Sequence, residues 1–138
     1  MKSPIIITAL ILTFFSACTY EDGPKMSLRS KTARIVNTWY IDKVYEEGVD
    51  KTDDYKSVYV NYKLDIKSDD NYDLSYKAGN LINFSESGTW RFSDDKVNLL
   101  HTPKNGTESS WKILRLKNSE FWAEMSLNNK NVKVYFKD

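Results

Sequence analysis

From Ile35 onward, apolar and polar residues alternate with a period of two, the spacing of a strand with one buried and one solvated face. Val58, Val60, Tyr62, Leu64 and Ile66 fall on one side of such a strand, and Tyr59, Asn61, Lys63, Asp65 and Lys67 on the other. The alternation returns in Tyr72, Leu74 and Tyr76, in Trp90 and Phe92, in Phe121, Ala123, Met125 and Leu127, and in Val132, Val134 and Phe136. Eight or nine strands are expected, the first from Ile35 to Tyr45 and the last from Val132 to Phe136. Ser68-Asp69-Asp70-Asn71, Asp94-Asp95, Lys104-Asn105-Gly106, Asn118-Ser119 and Asn128-Asn129 separate the runs, and each suits a tight turn. Connections this short favour antiparallel neighbours in chain order, because a parallel crossover needs a much longer segment. The segments 46–56 and 102–109 read as loops. The fold class is therefore all-β, an antiparallel up-and-down meander. With no helix long enough to cover its apolar face, the sheet is expected to close into a small barrel, which also removes its edges.

The first eighteen residues follow a different logic. Lys2 precedes an apolar run from Ile5 to Phe15 broken only by Thr8 and Thr13, and small residues Ser16 and Ala17 lead to Cys18. The order is that of a secretory signal, and the run is shorter than the roughly twenty residues that span a bilayer. Phe15-Ser16-Ala17-Cys18 resembles the lipobox of bacterial lipoproteins, with Phe15 where Leu is usual. The resemblance implies removal of residues 1–17 and acylation of Cys18. Each buried methylene contributes about 0.8 kcal/mol, so the two or three chains such proteins carry would hold the protein to a membrane. Residues 18–33, polar and punctuated by Gly23-Pro24, read as a flexible tether, with the barrel domain over 34–138. Glu21-Asp22 beside the cysteine is similar to the acidic export tags of Bacteroidota lipoproteins. The expected location is the outer membrane, on its periplasmic or cell-surface side.

Charge and composition narrow the chemistry. Removing residues 1–17 takes away Lys2 and no acid, leaving nineteen basic and nineteen acidic side chains. A neutral, interleaved surface argues against a nucleic-acid partner, which would need a basic surplus. Cys18 is the only cysteine, so once it is acylated no disulfide, thiol redox or zinc-thiolate chemistry is available.

The barrel sequence also carries a resemblance. Asn37-Thr38-Trp39-Tyr40 is similar to the lipocalin opening Gly-x-Trp-Tyr, with Asn, the residue that best tolerates positive φ, in place of Gly. Tyr62 to Ile66 with Asp69 to Tyr72, Glu86 to Phe92 leading into Lys96 to Leu100, and Trp111 to Leu116 followed by Glu120 to Trp122 complete the series. Their order resembles the lipocalin-like domains of small Bacteroidota lipoproteins. The resemblance implies a Trp39 that packs across one end of the barrel, and an interior that takes a small apolar or amphiphilic ligand.

Thirteen inward positions are candidates to line such a cavity. Trp39, Val60, Tyr62 and Leu64 come from the first half; Tyr72, Leu74, Trp90 and Phe92 from the middle; Trp111, Phe121, Met125, Val134 and Phe136 from the last strands. The same aromatics would equally serve to fill a solid barrel. Arg91 and Arg115 are candidates for a carboxylate head group at the mouth, with exposed strand positions as the alternative. Asp69, Asn71 and Asp73 open like a calcium loop, but Leu74 and Asn80 stand where Gly and Glu are required. His101 is the only histidine, and no motif marks a nucleophile to accompany it. No metal, cofactor or catalytic activity is expected. A filled barrel offering its loops to an outer-membrane protein partner is the competing reading.

Overall fold

The computed structural model describes residues 29–138, so Cys18, the signal segment and most of the tether lie outside the described residues. The chain forms α1 (Lys31–Ile35), β1 (Asn37–Glu46), β2 (Val49–Asp50), α2 (Thr52–Val58), β3 (Tyr59–Ile66), β4 (Asn71–Ala78), β5 (Ile82–Phe92), β6 (Asn98–Pro103), β7 (Ser109–Leu116), β8 (Glu120–Leu127) and β9 (Lys130–Lys137). Every pairing is antiparallel and nearly all join chain neighbours. The barrel closes because β1 is shared. Asn37, Thr38 and Trp39 pair with Ile66, Asp65 and Leu64 of β3, while Tyr40 to Glu46 pair with Lys137 to Val132 of β9. The result is an all-β, eight-stranded closed meander, with β2 as an extra strand on β1.

The turns follow from backbone chemistry. Glu47-Gly48 and Asn128-Asn129 each place two residues at positive φ, the requirement of a two-residue type I′ hairpin. Asp70 also adopts positive φ, and Asp69 accepts the Asn71 N–H at 3.1 Å to hold the β3–β4 turn.

Sequence and structure part at three places. The segment 46–56 is not a plain loop: it holds β2 and most of α2, whose Thr52 hydroxyl accepts the Val44 N–H at 3.0 Å. Asn37 does not take positive φ; its side chain accepts the Thr38 N–H at 2.9 Å, and Ile35 belongs to α1 rather than to the first strand. Strand β3 starts at Tyr59, with Val58 exposed at the end of α2, and its ladder slips between Val60 and Lys63 around Asn61, whose φ is 56°. One extra residue in a strand reverses which side chains face inward beyond it.

One end of the barrel is packed solid. Trp39 and Phe121 are fully buried with ring centroids 5.7 Å apart, and Phe136 stacks on Phe121 at 5.3 Å. Helix α1 covers this end with Ile35, and the Trp39 indole N–H donates to the Ile35 carbonyl at 2.9 Å. Ser30 caps α1 through the Ala33 N–H, Arg34 donates to the Leu116 carbonyl at 2.8 Å, and Lys31 reaches the Lys96 carbonyl. Removing about 200 Å² of indole from water is worth about 5 kcal/mol, so Trp39 is a large single contribution in a domain of this size.

The other end is less enclosed. Strand β6 pairs with Gly88 to Phe92 of β5 and the Lys104 N–H donates to the Ser87 carbonyl at 3.0 Å, so the stretch from Ile82 to Glu86 has β4 on one side and no ladder on the other. Gly88 marks where β6 leaves. A Cβ there would lie 2.1 Å from the Thr102 carbonyl oxygen and 2.9 Å from Pro103 Cα, both backbone atoms that no rotamer change can move. Gly88→Ala is expected to lower stability by at least about 2 kcal/mol, the scale of a severe overpacking, and urea denaturation would measure it. A loss under about 0.5 kcal/mol would mean that β5 and β6 do not approach this closely.

Candidate functional site

The less enclosed half holds a cavity of about 290 Å³, open to solvent, among Ile41 of β1, Tyr55 of α2, the inward residues of β3 to β5 and the ends of β7 to β9. Its walls are mostly rings. Tyr59 meets Tyr76 at 5.0 Å and Tyr62 at 6.5 Å, Tyr62 stacks parallel to Tyr76 at 6.3 Å, and Tyr76 stacks on Phe84 at 4.7 Å. Phe136 lies between Tyr62 at 6.0 Å and Trp111 at 6.1 Å. Tyr55 stacks on Tyr59 and donates its hydroxyl to Glu46 at 2.8 Å, while Lys130 reaches the other oxygen of Glu46 at 2.7 Å.

Two polar groups sit among these rings. Glu86 of β5 accepts the Tyr72 hydroxyl at 2.7 Å. His101 of β6 lies against Trp111 at 4.6 Å, and its Nδ1 is buried with no hydrogen-bond partner among the described residues. Burial pulls the His101 imidazole below its ordinary value, against a smaller upward pull from Glu86 and Glu108, so it is neutral at pH 7. Burial pushes Tyr62 and Tyr72 well above the usual phenol range, and the Tyr72 hydrogen bond to Glu86 adds to it. Tyr55 is pushed up to about 12 by burial and by Glu46. All three phenols are protonated donors at physiological pH.

Of the thirteen candidate positions, Tyr62, Leu74, Trp111, Met125, Val134 and Phe136 line this cavity. Leu64, Tyr72 and Trp90 instead surround a void of about 20 Å³ deeper in the barrel, together with Leu74, His101 and Trp111, which border both spaces. Trp39 and Phe121 belong to the packed end, and Phe92 meets Trp90 edge-on at 5.5 Å. Val60 is not among the lining residues of either space; because of the slip at Asn61, Tyr59 stands beside Tyr62 in its place.

Tyr55, Tyr59, Tyr76, Phe84, Glu86 and His101 line the cavity without having been candidates. Phe84 and Glu86 were within reach, since they share the parity of Trp90 and Phe92; Tyr59 was hidden by the bulge and Tyr55 by its helix. The arginines play no part in the cavity: Arg91 pairs with Glu108 at 3.2 Å, and Arg115 pairs with Glu120 at 2.8 Å and lies over Trp122. The carboxylates of the calcium-like turn are likewise engaged, Asp69 with Asn71 and Asp73 with Lys67 and Ser87. The arrangement brings aromatic rings and a few protonated donors together around one carboxylate.

Comparison with curated proteins finds no match. Residues 35–121, more than half of the chain and reaching from the end of α1 into β8, match the lipocalin-like domain family. With a closed eight-stranded meander, a tryptophan packed across one end and a cavity at the other, the chain belongs to the lipocalin-like domain family.

Proposed function

We propose that this protein is a non-enzymatic, membrane-anchored carrier or sensor whose barrel holds one small apolar or amphiphilic molecule. The observation that carries this reading is the ring-walled cavity of about 290 Å³, near the lower bound of volumes typical of small-molecule sites. The rings are already packed face to face or edge to face around the space, so a planar or chain-like apolar guest would displace water without reordering the walls. The anchor rests on the lipobox, Phe15-Ser16-Ala17-Cys18, with the acyl chains holding the protein to the outer membrane on its periplasmic or cell-surface side.

A second reading, a docking module for an outer-membrane protein, is favoured by Leu81 and Ile82. They are 89% and 69% exposed at the β4–β5 turn, beside the stretch of β5 that pairs with β4 alone. The neutral fluorophore N-phenyl-1-naphthylamine separates the two. The carrier reading expects micromolar binding, and expects Val134→Trp, which fills the cavity, to weaken it at least about tenfold while far-UV circular dichroism stays that of the parent. Undiminished binding to a correctly folded Val134→Trp protein, or no binding to the parent, would leave the docking reading in place.

For the anchor, Cys18→Ala is expected to abolish metabolic labelling by a palmitate analogue and to release the protein from the membrane fraction of its host. Continued membrane attachment of the unlabelled variant would overturn the acylation reading.

A further inference from the structure

The cavity has one sign of charge. Among the residues that line it, Glu86 is the sole Lys, Arg, Asp or Glu, and no ion pair joins it to a basic side chain among the described residues. One of its oxygens takes the Tyr72 hydroxyl and the other has no protein hydrogen bond among the described residues. Its field reaches the surrounding groups: Glu86 contributes to the upward push on Tyr62, Tyr72 and Tyr76 and opposes the downward pull on His101. The neighbouring histidine is neutral, so it supplies no counter-charge.

The rest of the wall has the same electrostatic preference. Tyr59, Tyr62, Tyr76, Phe84 and Trp111 bring ring systems to the space, and the faces of aromatic rings carry the negative end of their quadrupole. A cation over such faces is attracted, and the attraction grows as water is excluded. An anionic head group would meet the opposite: a half-buried carboxylate, ring faces and no positive charge. Arg91 and Arg115, the candidates for receiving a carboxylate, are engaged elsewhere with Glu108 and Glu120.

We propose that the cavity selects amphiphiles whose head is a primary, secondary or quaternary ammonium on an aromatic or alkyl tail, with Glu86 as the counter-ion and the aromatic wall that includes Tyr62, Tyr76 and Trp111 beside the head. The proposal rests on the carrier reading and sharpens it from apolar ligands in general to cationic ones. The protonated Tyr72 hydroxyl holds one Glu86 oxygen, and this orients the other for an N–H donor or an ammonium group.

Three probes of nearly equal size isolate the head group: 4-phenylbutylamine, 4-phenylbutanol and 4-phenylbutyrate, each titrated calorimetrically into the full chain at pH 7.5. The amine is expected to bind at least about tenfold tighter than the alcohol, with the carboxylate weakest. Glu86→Gln, which keeps an acceptor for Tyr72, should bring the amine down to the level of the alcohol, with a far-UV circular dichroism spectrum matching the parent reporting an intact fold. Equal binding of amine and alcohol, carboxylate binding as tight as the amine, or an amine preference that survives Glu86→Gln would each overturn the proposal. If Glu86→Gln does not fold, the ranking of the three probes on the parent chain decides alone. Failure of all three probes and of N-phenyl-1-naphthylamine would remove the carrier reading as well, whereas retention of the naphthylamine without an amine preference removes only the cationic assignment.

Discussion

The shared strand β1 is the constraint on which the molecule depends. Its first three residues pair with β3 and the remainder with β9, so one strand closes the ladder at both ends. The exchange falls between Trp39 and Tyr40, and a ladder shift between Ile41 and Lys43 follows it within the β9 pairing. Trp39 sits where the exchange occurs, fully buried, bound through its indole to the Ile35 carbonyl and opposite Leu64 in register. Closure and the packed end are thus one structure: the side chain that fills the end lies on the strand that seals the wall, and α1 is tied to both.

The cavity follows from the same geometry by unequal strand lengths. Strand β5 runs eleven residues, from Ile82 to Phe92, while β6 runs six and leaves its neighbour at Gly88. Below that point the inner face is covered on all sides and is filled by Leu64, Ile66, Tyr72, Trp90 and Leu99, with room left for about one water molecule. Above it, Phe84 and Glu86 face a space that the short strands do not fill. The aromatic residues therefore divide by height along the barrel, the deep ones acting as core and the upper ones as wall.

This division explains what could be read from the chain and what could not. The strands and their turns were legible because period-two alternation and the Asp, Asn and Gly clusters are local signals with local causes. Trp39 at a barrel end was legible through the family resemblance. The inward assignment of Val60 failed because a bulge at Asn61 inserts one residue without altering composition. Helix α2 was missed because Thr52 to Val58 buries none of its residues fully and so shows no apolar stripe. Whether the interior is filled or hollow was beyond the sequence. An inward aromatic has the same spacing in a core and in a cavity wall, and the difference lies in how far the neighbouring strand extends.

The most direct test of the central claim, a barrel solid at the Trp39 end and hollow at the other, is methyl NMR under xenon pressure, because a xenon atom enters an apolar space without regard to head-group charge. The predicted result is progressive, saturable shifts at Leu74, Met125 and Val134 with little change at Ile35, Ile66 and Leu116. Shifts concentrated around Ile35 and Leu116, or no saturable shift at any of these methyls, would contradict the account.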